Sequence, residues 1–252
     1  MSESVLVTHG DDGVTIVTLN RPHVLNALDV PSKERLGEIW RDAAASPKTK
    51  VILLHGAGEK GFSAGSDIKE IRRTGKMVTT ETLMNAIPGV GVNLEKPVIA
   101  ALHGFTVGFG LTLAIHSDFR IAAPASRMGF PEVQHGMLSG ISAITLPGIV
   151  GEPNALDLML TGRMIDGKEA LAMGLVNRLA EDPYAEALNL ARLVASNSTH
   201  AVQLTKRLVL HNRRQRIADS AALVDAARLE VTRSQEFGDV VEEKAGTGRV
   251  RG

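Results

Sequence analysis

The chain of 252 residues carries 28 Lys plus Arg against 28 Asp plus Glu, a formal net charge of zero, so no basic field is available to draw in nucleic acid or an anionic membrane surface. Cysteine is absent, which excludes disulfides, thiolate metal ligands and a cysteine nucleophile. With 44% hydrophobic and 22% charged residues, no apolar run near the roughly 20 residues of a membrane span and an opening, MSESVLVTHGDD, without the basic and apolar regions of a secretion signal, the chain reads as a cytoplasmic globular protein.

Residues 5–8 and 14–19 read as two strands joined by a turn at Gly10–Gly13. A helix follows from Pro31 to about Ala45, with Leu36, Ile39 and Trp40 on one apolar face. The run 51–55 (VILLH) is a buried strand. After it comes 56–70, GAGEKGFSAGSDIKE, a Gly-rich turn leading into a helix from about Asp67. Such turns converge backbone N–H groups, and a helix N-terminus adds positive partial charge, so the stretch suits an anion or an oxygen that becomes anionic. Residues 56–61 also fit G-x-G-x-x-G, but 62–65 (FSAG) does not continue as the helix that a dinucleotide site needs. Residues 61–65 fit G-x-S-x-G around Ser63, but the strand does not run straight into that turn.

Residues 74–93 have a helical middle between Gly-rich ends. Residues 97–102 form a strand apolar on both faces, hence central in a sheet. A second Gly-rich loop, 104–110, turns into a helix from Leu111 to about His116. Helices are expected over 140–150 and 152–160, a short strand within 175–179, and helical segments near 184–198, 200–212 and 217–236. His103, His116 and His135 are not spaced as a metal site, and none is expected.

Five segments taken together, 20–28 (NRPHVLNAL), 56–70, 96–114 (KPVIAALHGFTVGFGLTLA), 118–123 (DFRIAA) and 129–136 (GFPEVQHG), resemble the enoyl-CoA hydratase/isomerase (crotonase) superfamily, in order from about residue 4 to about residue 215. The resemblance implies an α/β fold, a spiral of ββα units. It divides the chain into a core over 1–195 and a C-terminal helical segment, 196–252, that packs on neighbouring subunits in a homotrimer or a dimer of trimers. It implies acyl-CoA as substrate, with no separate cofactor, and chemistry through a thioester enolate.

By the same resemblance, Ser66 and Phe109 supply the two N–H donors of an oxyanion hole, and Glu132 is the acid/base. Val24, Leu25, Ala27, Ala64, Asp67, Ile68, Lys69, Thr112, His135 and Gly140 fall at substrate-binding positions. Two departures stand out. Phe109 occupies a place where the family usually has Gly, and Thr112 occupies the place of the hydratases' second Glu. A single carboxylate favours double-bond isomerisation or dehydration over efficient hydration. The alternatives are a hydrolase, acting through Ser63 or by carbon–carbon cleavage with His135 and Glu132, and a non-catalytic member that only binds acyl-CoA or RNA. The tail from Glu242 departs from the family's usual ending and reads as frayed.

Overall fold

The computed structural model describes residues 3–74 and 78–242; the tail beyond them lies outside the described residues. A six-stranded sheet has the order β1-β2-β3-β5-β7-β9, and a three-stranded sheet has the order β4-β6-β8. In the larger sheet β1 (Val5–His9) and β2 (Val14–Leu19) are antiparallel. The remaining strands, β3 (Val51–Gly56), β5 (Val98–Leu102), β7 (Phe119–Ala122) and β9 (Arg178–Leu179), pair in parallel. The smaller sheet consists of β4 (Gly61–Ser63), β6 (Phe105–Val107) and β8 (Arg127–Gly129), also parallel.

Each of β3, β5 and β7 feeds directly into a short strand of the second sheet before the chain turns into helix. That repeat generates the expected spiral of ββα units. β4 and β6 fall in stretches that read as Gly-rich loops and β8 in one given no element, because three residues are too few to register a two-residue period. The helix after β6 also begins earlier than the sequence suggests: α4 spans Phe109–His116, so Phe109 and not Leu111 opens it.

The long helix α1 (Val30–Ala45) starts at Asp29, whose carboxylate accepts from the Ser32 N–H at 3.0 Å. Trp40 of α1 is fully buried and donates its indole N–H to the Ala86 carbonyl of α3 (Thr80–Ala86) at 2.7 Å, tying the two helices. The short α2 (Ile68–Thr74) precedes α3. Parallel strands with apolar side chains on both faces make two cores. Ile52, Leu54, Ala100 and Leu102 face the main core beneath α1 and α4, while Leu53, Ile99 and Ala101 face Ala187, Leu190 and Ala191.

After β8 a 3-10 turn covers Pro131–His135, followed by α5 (Gly140–Thr145) and α6 (Pro147–Val150), split at Pro147, where one helix is expected. Next come α7 (Glu152–Thr161), α8 (Gly167–Ala172) and α9 (Pro183–Ala195), the last carrying Ala187, Leu190 and Ala191. The C-terminal helices are α10 (Thr199–Val209), α11 (His211–Thr232) and α12 (Gln235–Glu242). Among the described residues no helix is long and apolar enough to cross a membrane.

Candidate active site

The two Gly-rich turns meet. After β4 the chain passes through Ala64 and Gly65, where Gly65 has φ +91°. A Cβ there would lie 2.7 Å from the Val107 carbonyl oxygen and 3.1 Å from the Phe109 nitrogen, so only glycine lets the first turn sit this close to the second. Ser66 bridges Leu28 in parallel: the Leu28 N–H donates to Gly65 O at 2.7 Å and the Asp67 N–H donates to Leu28 O at 3.0 Å. That pattern uses the Gly65 carbonyl and the Asp67 N–H, the Gly65 N–H goes to Ser63 Oγ, and the Ser66 N–H is left without a protein acceptor among the described residues. Phe109, as the first residue of α4, has an N–H that no intrahelical carbonyl can reach. Ser66 and Phe109 line one cavity of about 260 Å³.

Glu132 enters the same cavity from the 131–135 turn. Gly108 has φ +54°, and a Cβ on it would stand 3.0 Å from Glu132 Oε1, so the carboxylate lies against the backbone that leads to Phe109. Oε1 accepts from the Ser139 hydroxyl. Oε2 is sealed from solvent and has no hydrogen-bond partner. Burial pushes the Glu132 carboxyl above the ordinary value of 4.5, against the opposing pull of the Ser139 hydrogen bond. A carboxyl with one bare buried oxygen and a raised pKa has the character of a proton-transfer group.

Thr112 also lines the cavity. Its hydroxyl is buried, donates to Gly108 O at 3.2 Å and shares a 2.8 Å hydrogen bond with the Ser142 hydroxyl. A pair of neutral hydroxyls therefore stands at the position of a second carboxylate.

Ala64, Ile68, His135 and Gly140 border this cavity as well. Leu25 borders a separate hollow with Pro22, Asn26, Ala57, Glu59, Lys60 and Gly61. Val24 closes the 3-10 turn of residues 22–24, and Ala27 is buried. Asp67 caps α2, accepting from the Lys69 N–H at 3.1 Å, and pairs with Arg21 at 3.2 Å; the Lys69 side chain is exposed. Ser63 is fully buried beneath β4 and off the cavity, its hydroxyl donating to Asn26 O at 2.8 Å and accepting from the Gly65 N–H at 3.1 Å. Among the described residues no histidine is within hydrogen-bonding distance of it, so the arrangement gives a serine nucleophile no base. No group of three or more His, Asp or Glu among the described residues could hold a metal ion.

Five polar cavity residues escape the sequence reading: Lys33, Glu70, Ser139, Ser142 and Arg228. One signal was available. Lys33, Leu36 and Trp40 fall at i, i+3 and i+7, so Lys33 shares the buried face of α1.

The sequence model of the enoyl-CoA hydratase/isomerase family matches residues 9–238. The chain belongs to that family. It is 36% identical over 198 residues to (E)-benzylidenesuccinyl-CoA hydratase of Thauera aromatica, covering 77% of each chain. It is 37% identical over 206 residues to short-chain-enoyl-CoA hydratase of Clostridium acetobutylicum, covering 78% of this chain and 77% of the relative. The solved structure of an enoyl-CoA hydratase/isomerase from Pseudoalteromonas atlantica superposes with a TM-score of 0.86 at 29% identity, over 98% of this chain and 100% of that one. Membership of this family makes the chain an acyl-CoA enzyme and gives the cavity its context.

Proposed function

We propose that this enzyme moves a proton beside the thioester carbonyl of an acyl-CoA, with Glu132 as the acid/base and the Ser66 and Phe109 N–H groups holding the thioester oxygen as it becomes an enolate. The observation that carries the reading is Glu132 itself, on the wall of the cavity that both N–H donors line, with an Oε2 that is buried and has no hydrogen-bond partner. Preorganised donors aimed at developing charge contribute on the order of 3–4 kcal/mol each to such a transition state. With Thr112 in place of a second carboxylate, one group takes the proton from one carbon and returns it to another. That is double-bond isomerisation; loss of water from a hydroxyacyl thioester is the reverse of hydration and belongs with the second reading.

Hydration is the second reading, favoured by the Thr112–Ser142 hydroxyl pair, which can hold a water, and by the names of the relatives. Solvent deuterium exchange into a straight-chain enoyl-CoA, measured beside hydration of the same substrate, separates the two. Exchange and isomerisation outrunning hydration is the expected result; the reverse order removes the single-carboxylate mechanism. The exposed Leu204, Leu208 and Val209 of α10 support packing of the C-terminal helices on other copies of the chain, which sedimentation analysis would read as a trimer or hexamer.

A further inference from the structure

Lys33 stands on the first turn of α1, is 2% exposed and lines the central cavity. Its Nζ donates to Leu28 O at 2.8 Å and lies 5.5 Å from the centroid of the Phe109 ring. An ammonium has three N–H donors, and among the described residues no carboxylate oxygen comes within 4.0 Å of this one. The carboxylates of Glu70, Asp29 and Asp67 act on it electrostatically from beyond ion-pair distance, and each has a nearer partner. Asp29 pairs with Arg21 at 3.2 Å and caps α1; Asp67 pairs with Arg21 at 3.2 Å; Glu70 accepts from the Val30 N–H at 2.9 Å. Arg228, the other cation on the cavity wall, is already engaged with Thr80 and with Val78 O at 2.8 Å.

A buried ammonium with donors to spare and no counterion of its own carries a large desolvation cost. The aromatic face of Phe109 offsets part of it. Ile68, Leu83, Ile87 and Ile141 also line the cavity, so a hydrocarbon acyl chain would fill the space and leave the spare Lys33 donors unpaired. Burial pushes the Lys33 amine down to about 8, which still leaves it mainly protonated at neutral pH, and a bound anion would hold it so.

We infer that the acyl group this cavity takes carries a carboxylate, and that Lys33 is the group that binds it. The substrate class is then the CoA half-thioester of a short unsaturated dicarboxylic acid, a size in keeping with the 260 Å³ of space. This rests on the acyl-CoA reading and deepens it: Ser66, Phe109 and Glu132 handle the thioester end, and Lys33 selects the other end.

The experiment compares the half-thioester of a five-carbon unsaturated diacid with its methyl ester, which keeps the length and removes the charge, on the wild type and on Lys33→Met. The wild type should favour the acid in kcat/KM by about 30-fold, mainly through KM, as expected for a hydrogen bond to a charged group. Lys33→Met should lose that preference and favour the ester. Equal turnover of acid and ester by the wild type overturns the proposal, and this outcome needs no variant to fold. A parallel loss on both substrates in Lys33→Met, with an unchanged melting temperature, also overturns it, because it marks a merely structural lysine. Turnover of a straight-chain enoyl-CoA with no turnover of the acid sinks the carboxylate inference alone; binding of no CoA thioester of any kind sinks the acyl-CoA reading with it.

Discussion

The wall of the cavity built by β4, β6 and the start of α4 presents backbone, whereas the wall built by α1, the 131–135 turn and α5 presents side chains. On the first wall the proposed functional atoms are the Ser66 and Phe109 N–H groups, fixed by a strand bridge and a helix start. On the second they are Glu132, Lys33 and the Thr112–Ser142 hydroxyls beside them. Backbone donors are held by the fold and carry no net charge into the interior. Glu132 and Lys33 each bring a titratable group into a buried position with one side-chain hydrogen bond apiece, which costs stability and lends reactivity. On the proposed reading the backbone wall fixes where an oxygen sits, and the side-chain wall decides what is done to it.

The largest expected effect falls on the side-chain wall. Glu132→Gln keeps the shape and removes the base, so proton exchange beside the thioester should fall by roughly 100- to 10,000-fold while acyl-CoA binding, read by thermal shift, persists. A Gln variant that exchanges deuterium at the wild-type rate would break the division of labour between the walls. Next comes the backbone wall. Ser66→Pro deletes one donor and should lower turnover by about 100- to 1000-fold if circular dichroism shows a folded protein, whereas Ser66→Ala should retain most activity. Inactive Ala with active Pro would mean that the Ser66 hydroxyl matters and its N–H does not.

Thr112→Glu sharpens the comparison by adding a second carboxylate to the side-chain wall. Hydration relative to proton exchange should rise by about tenfold, because a paired acid and base can activate and deliver water. The gain is tempered, since a new anion near Glu132 pushes that carboxyl still higher and breaks the hydroxyl pair with Ser142. An unchanged ratio of the two rates would show that Thr112 and Ser142 already handle water.

The two walls differ also in how far they were legible. The backbone wall announces itself: apolar runs at 51–55 and 97–102 each lead into closely spaced glycines, and close backbone approach demands glycine, as at Gly65. What the sequence hid there was β4, β6 and β8, strands too short to show a period. The start of α4 was misplaced by two residues because Gly110 reads as loop, and that error matters, since opening the helix is what frees the Phe109 N–H. The side-chain wall gives weaker signals. Nothing in local pattern distinguishes Glu132 from a surface carboxylate; only its place among several ordered segments did. Ser139 and Ser142 are ordinary serines until the chain folds back. Lys33 could have been found, because a lysine in register with Leu36 and Trp40 faces inward, but a lone charge on an apolar face is easily read as a solvated edge.

The smallest effect concerns stability, and it tests the two buried charges against each other. Glu132 has a folded pKa raised above 4.5 by burial. Its favourable contribution is therefore complete below pH 4.5 and is lost as pH rises through the raised value. Lys33 is the mirror case: burial lowers its folded pKa from 10.5 to about 8, so its favourable contribution is present above 10.5 and lost as pH falls through about 8. At pH 7 both charges weigh against folding. Glu132→Gln and Lys33→Met should each raise the unfolding free energy there. The pH windows separate them. The gain from Glu132→Gln should vanish below pH 4.5, and the gain from Lys33→Met should shrink between pH 8 and 10.5. Urea unfolding of the wild type and both variants at pH 4, 7 and 10 reads this directly. Destabilisation of either variant at pH 7 would mean that the charge is answered inside the folded protein, and that the side-chain wall costs no more than the backbone one.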